Sequence, residues 1–329
     1  MPSHHKTYNL SLLDRIVPNT YTDFVFYYPK YMNNVNTNVL KQSLSQSLAI
    51  YYPLAGRLPS PSASYVDCND EGIDFVEFSA DSRLSDLLQV QLNHFSDGGV
   101  AVAVSVSHKI ADGLTVASFV NHWATVARGE SPIDPTFISS PASNSTEVVD
   151  EYDPDYTSEV IYKKRTFTFT NSKLNELKKN VIAMGNTPMN PTRFEVLASL
   201  LFKCAVGAST NKSYDSSLLY QPFNVRGIIA GKYPETTVAQ YWTNMLSTLD
   251  QGRVYTVTSL CTFPFYNANY GWGKPLKVTM DIPELYQGVF ALMDTPSGDG
   301  IEVTARLRED EMAIFENDKE ILAYVQEDV

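Results

Sequence analysis

The stretch that decides the fold is Gly98-Gly-Val-Ala-Val-Ala-Val-Ser-Val-Ser-His108-Lys-Ile-Ala-Asp112-Gly113. Valines at 100–106 alternate with alanine and serine, a period of two that predicts a strand packed closely on both faces. A helical period follows, with apolar residues at 116, 119, 120, 123 and 127, and Gly129 is a natural stop. His108 is therefore predicted at a strand-to-helix turn, where a rigid support presents a side chain to a cleft.

Imidazole is the side chain best suited to take a proton near neutral pH, so His108 is a candidate base. Asp112, four residues later, could orient the imidazole, bind something else, or cap the following helix. From position alone, two ordinary turn residues are the favoured interpretation, because an isolated His-x-x-x-Asp often occurs by chance.

Composition predicts a two-domain soluble protein. The chain has 329 residues, 43% hydrophobic and 19% charged, which is long for one core. Its net charge of −12 argues against nucleic acid as a partner. Three separated cysteines, Cys68, Cys204 and Cys261, predict neither a disulfide framework nor a metal site and fit a reducing cytosol. We find no secretory signal and no membrane-spanning run, so we expect a cytoplasmic protein without membrane partners.

Residues 131–156 are rich in Pro, Ser, Asp and Glu, as linkers are. We therefore predict an N-terminal domain at 1–140, a crossover linker at 141–159 and a C-terminal domain at 160–329. The second half predicts a strand at 161–170, a capping box at Thr192–Glu195 and a closing helix at 309–324. His94 is interpreted as structural, and His122, beside Trp123 on the predicted helix, is expected to be partly exposed.

A second distinctive stretch is Asn269-Tyr-Gly271-Trp272-Gly273-Lys-Pro275. Two glycines around a tryptophan predict a tight loop with a buried anchor, and such pairs indicate turn chemistry more often than catalysis.

Taken together, several motifs resemble the plant BAHD acyl-CoA-dependent acyltransferases, and most of all their alkaloid acetyltransferase group. The two signatures are Ser107 to Gly113 and Tyr270 to Pro275. Five other stretches resemble the family in the same order: Leu10–Asp14, Tyr51–Arg57, Asn121–Ala124, Asn190–Arg193 and Leu292–Asp294 with Gly298–Gly300.

The resemblance implies an α/β fold of two similar chloramphenicol-acetyltransferase-like domains, each a mixed sheet with helices, with an active-site channel between them. It implies transfer of an acetyl group from acetyl-CoA to a hydroxyl of an alkaloid or related metabolite. His108 would be the base that takes the hydroxyl proton. The tetrahedral intermediate of such a transfer carries a negative oxygen, and one fixed hydrogen-bond donor to that oxygen is typically worth roughly 10²–10³ in rate. Acetyl-CoA is then a cosubstrate, and the resemblance indicates no permanently bound cofactor, no metal and a monomer.

The resemblance also assigns supporting roles. Asp112 matches an aspartate that points away from the pocket and pairs with an arginine, and Asn224-Val-Arg226 makes Arg226 the expected partner. Gly113 belongs to the first signature. Asn269, Gly271, Trp272 and Gly273 would shape and support the site.

Two departures from the family pattern leave alternatives open. Asn269 replaces an aspartate and Tyr270 a phenylalanine, and an amide cannot form a carboxylate's ion pair, so we expect a more weakly held loop. Family members are also longer, with material missing here near Leu88-Gln89 and between about Leu246 and Thr256. These departures leave two competing functions. One is a truncated ligand-binding protein without turnover, and the other is a changed base-catalysed reaction on an alkaloid, such as elimination.

Overall fold

A computed structural model describes residues 7–11, 14–15, 17, 19–29, 36–77, 88–95, 98–137, 160–185, 190–209, 216–222, 224, 253–284 and 286–326. The strands described are β1 Thr7–Asn9, β2 Tyr21–Tyr28, β3 Tyr65–Asp67, β4 Asp74–Glu77, β5 Leu88–His94, β6 Val100–Ser107, β7 Tyr162–Thr170, β8 Ser217–Tyr220, β9 Arg253–Ser259, β10 Lys277–Met280, β11 Val289–Asp294 and β12 Gly300–Arg308. The α-helices described are α1 Thr37–Ile50, α2 Gly113–Ala127, α3 Asn171–Ala183, α4 Arg193–Ala208, α5 Glu309–Phe315 and α6 Lys319–Leu322.

The first compact unit comprises Met1–Pro154 and Phe263–Pro283. Its main sheet has the order β10-β2-β6-β5-β4, and β6 runs antiparallel to both of its neighbours. The valines of β6 face the core, with Val102 and Val104 fully buried, as the alternation predicts. Helices α1 and α2 are joined at Trp123, whose indole N–H lies 3.1 Å from Leu40 O and 3.1 Å from Ser43 Oγ.

The second unit comprises Asp155–Thr262 and Glu284–Val329. Its sheet has the order β7-β12-β11-β9-β8, and β9 runs parallel to both β8 and β11. The predicted capping box is present at the start of α4, because Thr192 Oγ1 accepts from Glu195 N and Glu195 Oε2 accepts from Thr192 N. The two α/β units with mixed sheets confirm the predicted fold class.

The division of the chain differs from the predicted one at the segment 263–283. Sequence analysis places this segment, with its Gly-Trp-Gly loop, in the C-terminal domain, whereas its contacts put it in the first unit. The physical reason is strand pairing, because β10 hydrogen-bonds to β2 from Lys277 opposite Tyr27 to Met280 opposite Phe24. The predicted linker at 141–159 lies outside the described residues.

Two predictions on local structure are corrected. The closing helix is divided into α5 and α6, because Asp318 Oδ1 caps a new helix by accepting from Glu320 N at 2.7 Å. His122 is buried, with 5% of its surface exposed, and is not partly exposed as predicted.

Candidate active site

His108 lies directly after β6, in the turn that leads to α2. Its backbone N–H donates to Thr20 O at 2.8 Å, and the preceding Ser107 Oγ donates to Asn19 Oδ1 at 3.2 Å. The ring is half-buried, and its Nδ1 is buried with no hydrogen-bond partner among the described residues. A buried ring nitrogen without a partner is uncommon in folded proteins, which makes His108 a candidate functional residue.

Asp112 caps α2, which begins at Gly113. Its Oδ1 accepts from Thr115 N at 2.9 Å and from Thr115 Oγ1 at 2.8 Å. The cap is the ordinary structural role that position alone favoured. Arg226 lies outside the described residues, so its pairing with Asp112 stays a prediction.

The Gly-Trp-Gly loop is closed by its asparagine. Asn269 Oδ1 accepts from Gly271 N and from Gly273 N, both at 2.9 Å. Gly271 and Gly273 have φ of +96° and +88°, a region where a side chain is strongly disfavoured. Both bonds need an acceptor, which the amide oxygen of Asn269 supplies without the negative charge of a carboxylate. A more weakly held loop stays a prediction.

Helix α2 joins the two signatures within the first unit. Its N-terminus follows His108, and just beyond its C-terminus Arg128 Nη1 donates to Asn269 O. Between these ends, Asn121 Nδ2 donates to Pro264 O at 2.8 Å. The two motifs, 156 residues apart at Gly113 and Asn269, are therefore held to one helix.

An aromatic cluster of Tyr28, Trp123, Tyr270 and Trp272 seats the loop. Trp123 and Tyr270 are edge-to-face at 4.8 Å, and Tyr28 and Trp272 are edge-to-face at 5.3 Å. Tyr28 Oη donates to Ala268 O at 2.8 Å, whereas Tyr270 Oη is buried with no partner among the described residues. Burial raises the pKa of both phenols, so neither ionises near neutral pH.

The cysteines are not candidates for nucleophilic chemistry. Burial raises the pKa of Cys68 to about 11, of Cys204 to about 12 and of Cys261 to about 11. All three are free thiols, and their protonated form is unreactive at neutral pH. The described part of the chain holds no group of three or more His, Cys, Asp or Glu residues placed to bind a metal.

Sequence reasoning missed a polar network that connects His122 of α2 to Ser47 and Asp134. His122 Nδ1 lies 3.0 Å from Ser47 Oγ on α1, and its Nε2 lies 3.3 Å from Asp134 Oδ1. The order Ser–His–Asp is that of hydrolase triads, but Ser47 is fully buried and cannot meet a substrate. Sequence analysis includes Asn121 in a family-like stretch without giving it a role, and it does not single out Arg128, because only the position of the distant loop gives these residues a role.

Comparison with known proteins decides the family. The family model described as Transferase family matches residues 1–93, 87–247 and 238–322. The chain belongs to this transferase family. Its members are BAHD acyltransferases, which use acyl-CoA as cosubstrate.

Individual relatives agree with this assignment. The chain is 28% identical to diaboline synthase of Strychnos sp over 412 residues, covering 98% of this chain and 88% of the relative. It is 30% identical to BAHD acyltransferase BIA1 of Arabidopsis thaliana over 414 residues, covering 98% of this chain and 94% of the relative. The crystal structure of vinorine synthase superposes with a TM-score of 0.82 at 25% identity, covering 100% of this chain and 96% of that one.

The fold alone is shared with TRI101 of F. sporotrichioides, crystallised with coenzyme A and T-2. That likeness has a TM-score of 0.71 at 13% identity and covers 97% of this chain and 99% of that one. None of the described helices is long and apolar enough to cross a membrane.

The chain is a shortened member of its family. The family match changes from one segment to the next at residues 87–93 and 238–247. The first of these ranges, 87–93, includes the predicted junction Leu88-Gln89. The second, 238–247, overlaps the predicted gap only at its start, near Leu246.

Proposed function

We propose that this protein transfers an acetyl group from acetyl-CoA to a hydroxyl of an alkaloid or related small metabolite, with His108 as general base. The observation that carries the proposal is the half-buried His108 imidazole directly after β6, at the turn that leads to α2. Since the ring is not fully buried, a substrate hydroxyl could hydrogen-bond to its accessible part and give up its proton to a ring nitrogen.

The chemistry needs one proton shuttle. A ring nitrogen of His108 takes the acceptor's hydroxyl proton, and the oxygen attacks the thioester carbonyl carbon. The tetrahedral intermediate collapses when the carbon–sulfur bond breaks, and the CoA thiolate leaves with the proton that His108 returns. Asp112 contributes support by fixing the turn through its cap on Thr115. Arg226 is the proposed second partner of Asp112.

Acetyl is favoured as the acyl group by the resemblance to the alkaloid acetyltransferases and by one relative. A limonoid 21-O-acetyltransferase of Melia azedarach is 27% identical, but an N-malonyltransferase of Strychnos nux-vomica is equally similar at 27%. Alkaloid acceptors are favoured by diaboline synthase and akuammiline synthase 1, both 28% identical. We further expect a cytoplasmic monomer with no permanently bound cofactor.

The test pairs donors with acceptors. Purified protein is incubated with acetyl-CoA or malonyl-CoA and with panels of hydroxylated and amine-bearing alkaloids, and acylated products are measured by mass spectrometry. We expect acetyl esters and a loss of at least ~10²-fold in kcat/KM in His108→Ala. Malonylated products would show that malonyl-CoA is the donor, and N-acylated products would show that an amine is the acceptor. Equal turnover by His108→Ala would refute the role of His108 as base.

The second candidate is a ligand-binding protein without turnover, which the shortened chain favours. The other reason for it, Asn269, is weakened because the amide still closes the loop. Binding of acetyl-CoA and an alkaloid by calorimetry, with no product from any donor, would support this candidate over the enzyme.

A further inference from the structure

Thr262 adopts a backbone conformation that its side chain disfavours. Its φ is +70°, and among the described non-glycine residues only Asp70, at +61°, is also in this region. Left-handed geometry is unfavourable for L-residues and most of all for β-branched ones, so an observed outlier of this kind needs a reason.

A carboxylate holds the strained residue in place. Asp294, the last residue of β11, accepts from Thr262 N through Oδ2 at 2.6 Å, a charge-assisted bond. Two residues earlier, Leu260 N donates to Leu292 O at 2.8 Å. The turn that ends β9 is thus fixed to β11 on both sides of Cys261.

Thr262 is the last residue of the second unit before the chain enters the first. The segment 263–283 that follows carries the Gly-Trp-Gly loop and β10. Its beginning is anchored at once, since Asn121 Nδ2 donates to Pro264 O and Phe265 stacks on Phe24 at 5.1 Å.

We propose that Thr262, Asp294 and Asn121 are positioning residues that fix the course of the segment 263–283 for catalysis. Glycine at position 262 would adopt the same φ without strain but would leave the chain free to adopt others. Threonine has fewer backbone conformations than glycine, so the bond from Thr262 N to Asp294 Oδ2 restricts the start of the segment more than it would in a glycine variant. The catalytic part of this inference rests on the proposed acyltransferase function.

The experiment compares Thr262→Gly, Asp294→Ala and Asn121→Ala with two matched controls. Asp70→Gly removes the same kind of strain outside this turn. Asn317→Ala removes an Asn just after α5 whose side chain donates to Ala313 O of that helix, as Asn121 donates to Ala117 O of α2, but this bond does not reach the segment. The readouts are amide hydrogen exchange of residues 264–280, and kcat and KM for both substrates.

We expect the three test variants to exchange the segment's amides at least ~10-fold faster. We expect kcat to fall by about 10-fold to 100-fold with KM little changed, because misplacement remote from the chemistry acts through geometry. Both controls should match wild type. Asp294→Asn, which keeps the acceptor, should recover most of the activity lost in Asp294→Ala.

Unchanged exchange and kcat in Thr262→Gly would overturn the inference, and so would equal losses in the controls. If the wild type transfers no acyl group to any acceptor, the proposed function fails by itself. Amide exchange then decides alone whether these residues fix the segment.

Discussion

Removing one oxygen atom from Tyr270 is expected to stabilise the protein. The Tyr270 ring packs against Tyr28, Trp123 and Trp272, and its hydroxyl is buried with no hydrogen-bond partner among the described residues. A buried polar group without a partner costs about 1–3 kcal/mol. Tyr270→Phe removes that cost and keeps the ring contacts, so the free energy of unfolding should rise by up to this amount.

Tyr28 is the matched control, because its ring lies 6.0 Å from that of Tyr270 and its hydroxyl donates to Ala268 O at 2.8 Å. Tyr28→Phe makes the same chemical change but leaves a buried carbonyl without its donor, which should cost about 1–3 kcal/mol. Urea unfolding followed by tryptophan fluorescence measures both. The reasoning is refuted if Tyr270→Phe destabilises the protein as much as Tyr28→Phe does.

Three further predictions concern the surroundings of the site. Asn269→Asp should raise the free energy of unfolding by about 1 kcal/mol in urea titrations, because its two loop bonds become charge-assisted; a loss of stability would contradict the geometry. In a double-mutant cycle of His122→Gln and Asp134→Asn, the coupling free energy for unfolding should be about 0.2–1 kcal/mol, a small value because Asp134 is exposed. A coupling of zero would show that the contact does not stabilise the protein. Burial raises the pKa of Cys204 to about 12, so this thiol should resist thiol reagents at pH 8 until urea unfolds the protein. The stability that its protonated form contributes should be lost as the pH rises from about 9 through about 12. Immediate labelling of the native protein would contradict this, because it would show an accessible, ionised thiol.

Local patterns predicted much of the fold. The alternation of valine with small residues gives β6, and the capping box gives the start of α4, because both signals depend on residues close together in the chain. The position of His108 at a strand-to-helix turn follows from the same local patterns.

Long-range pairing could not be predicted in this way. The pairing of β10 with β2 joins residues about 250 apart, and no local period of β10 identifies its partner. His122 is buried because Ser47, 75 residues earlier, lies against it. The division of the closing helix depends on Asp318, a residue that can both cap a helix and sit within one.

The central claim is tested most directly by following both products of one reaction. With acetyl-CoA and an accepted hydroxylated alkaloid, free CoA thiol and acetyl ester should form in equal amounts, and both should fall at least ~10²-fold together in His108→Ala. Undiminished formation of thiol and ester by His108→Ala would contradict the account.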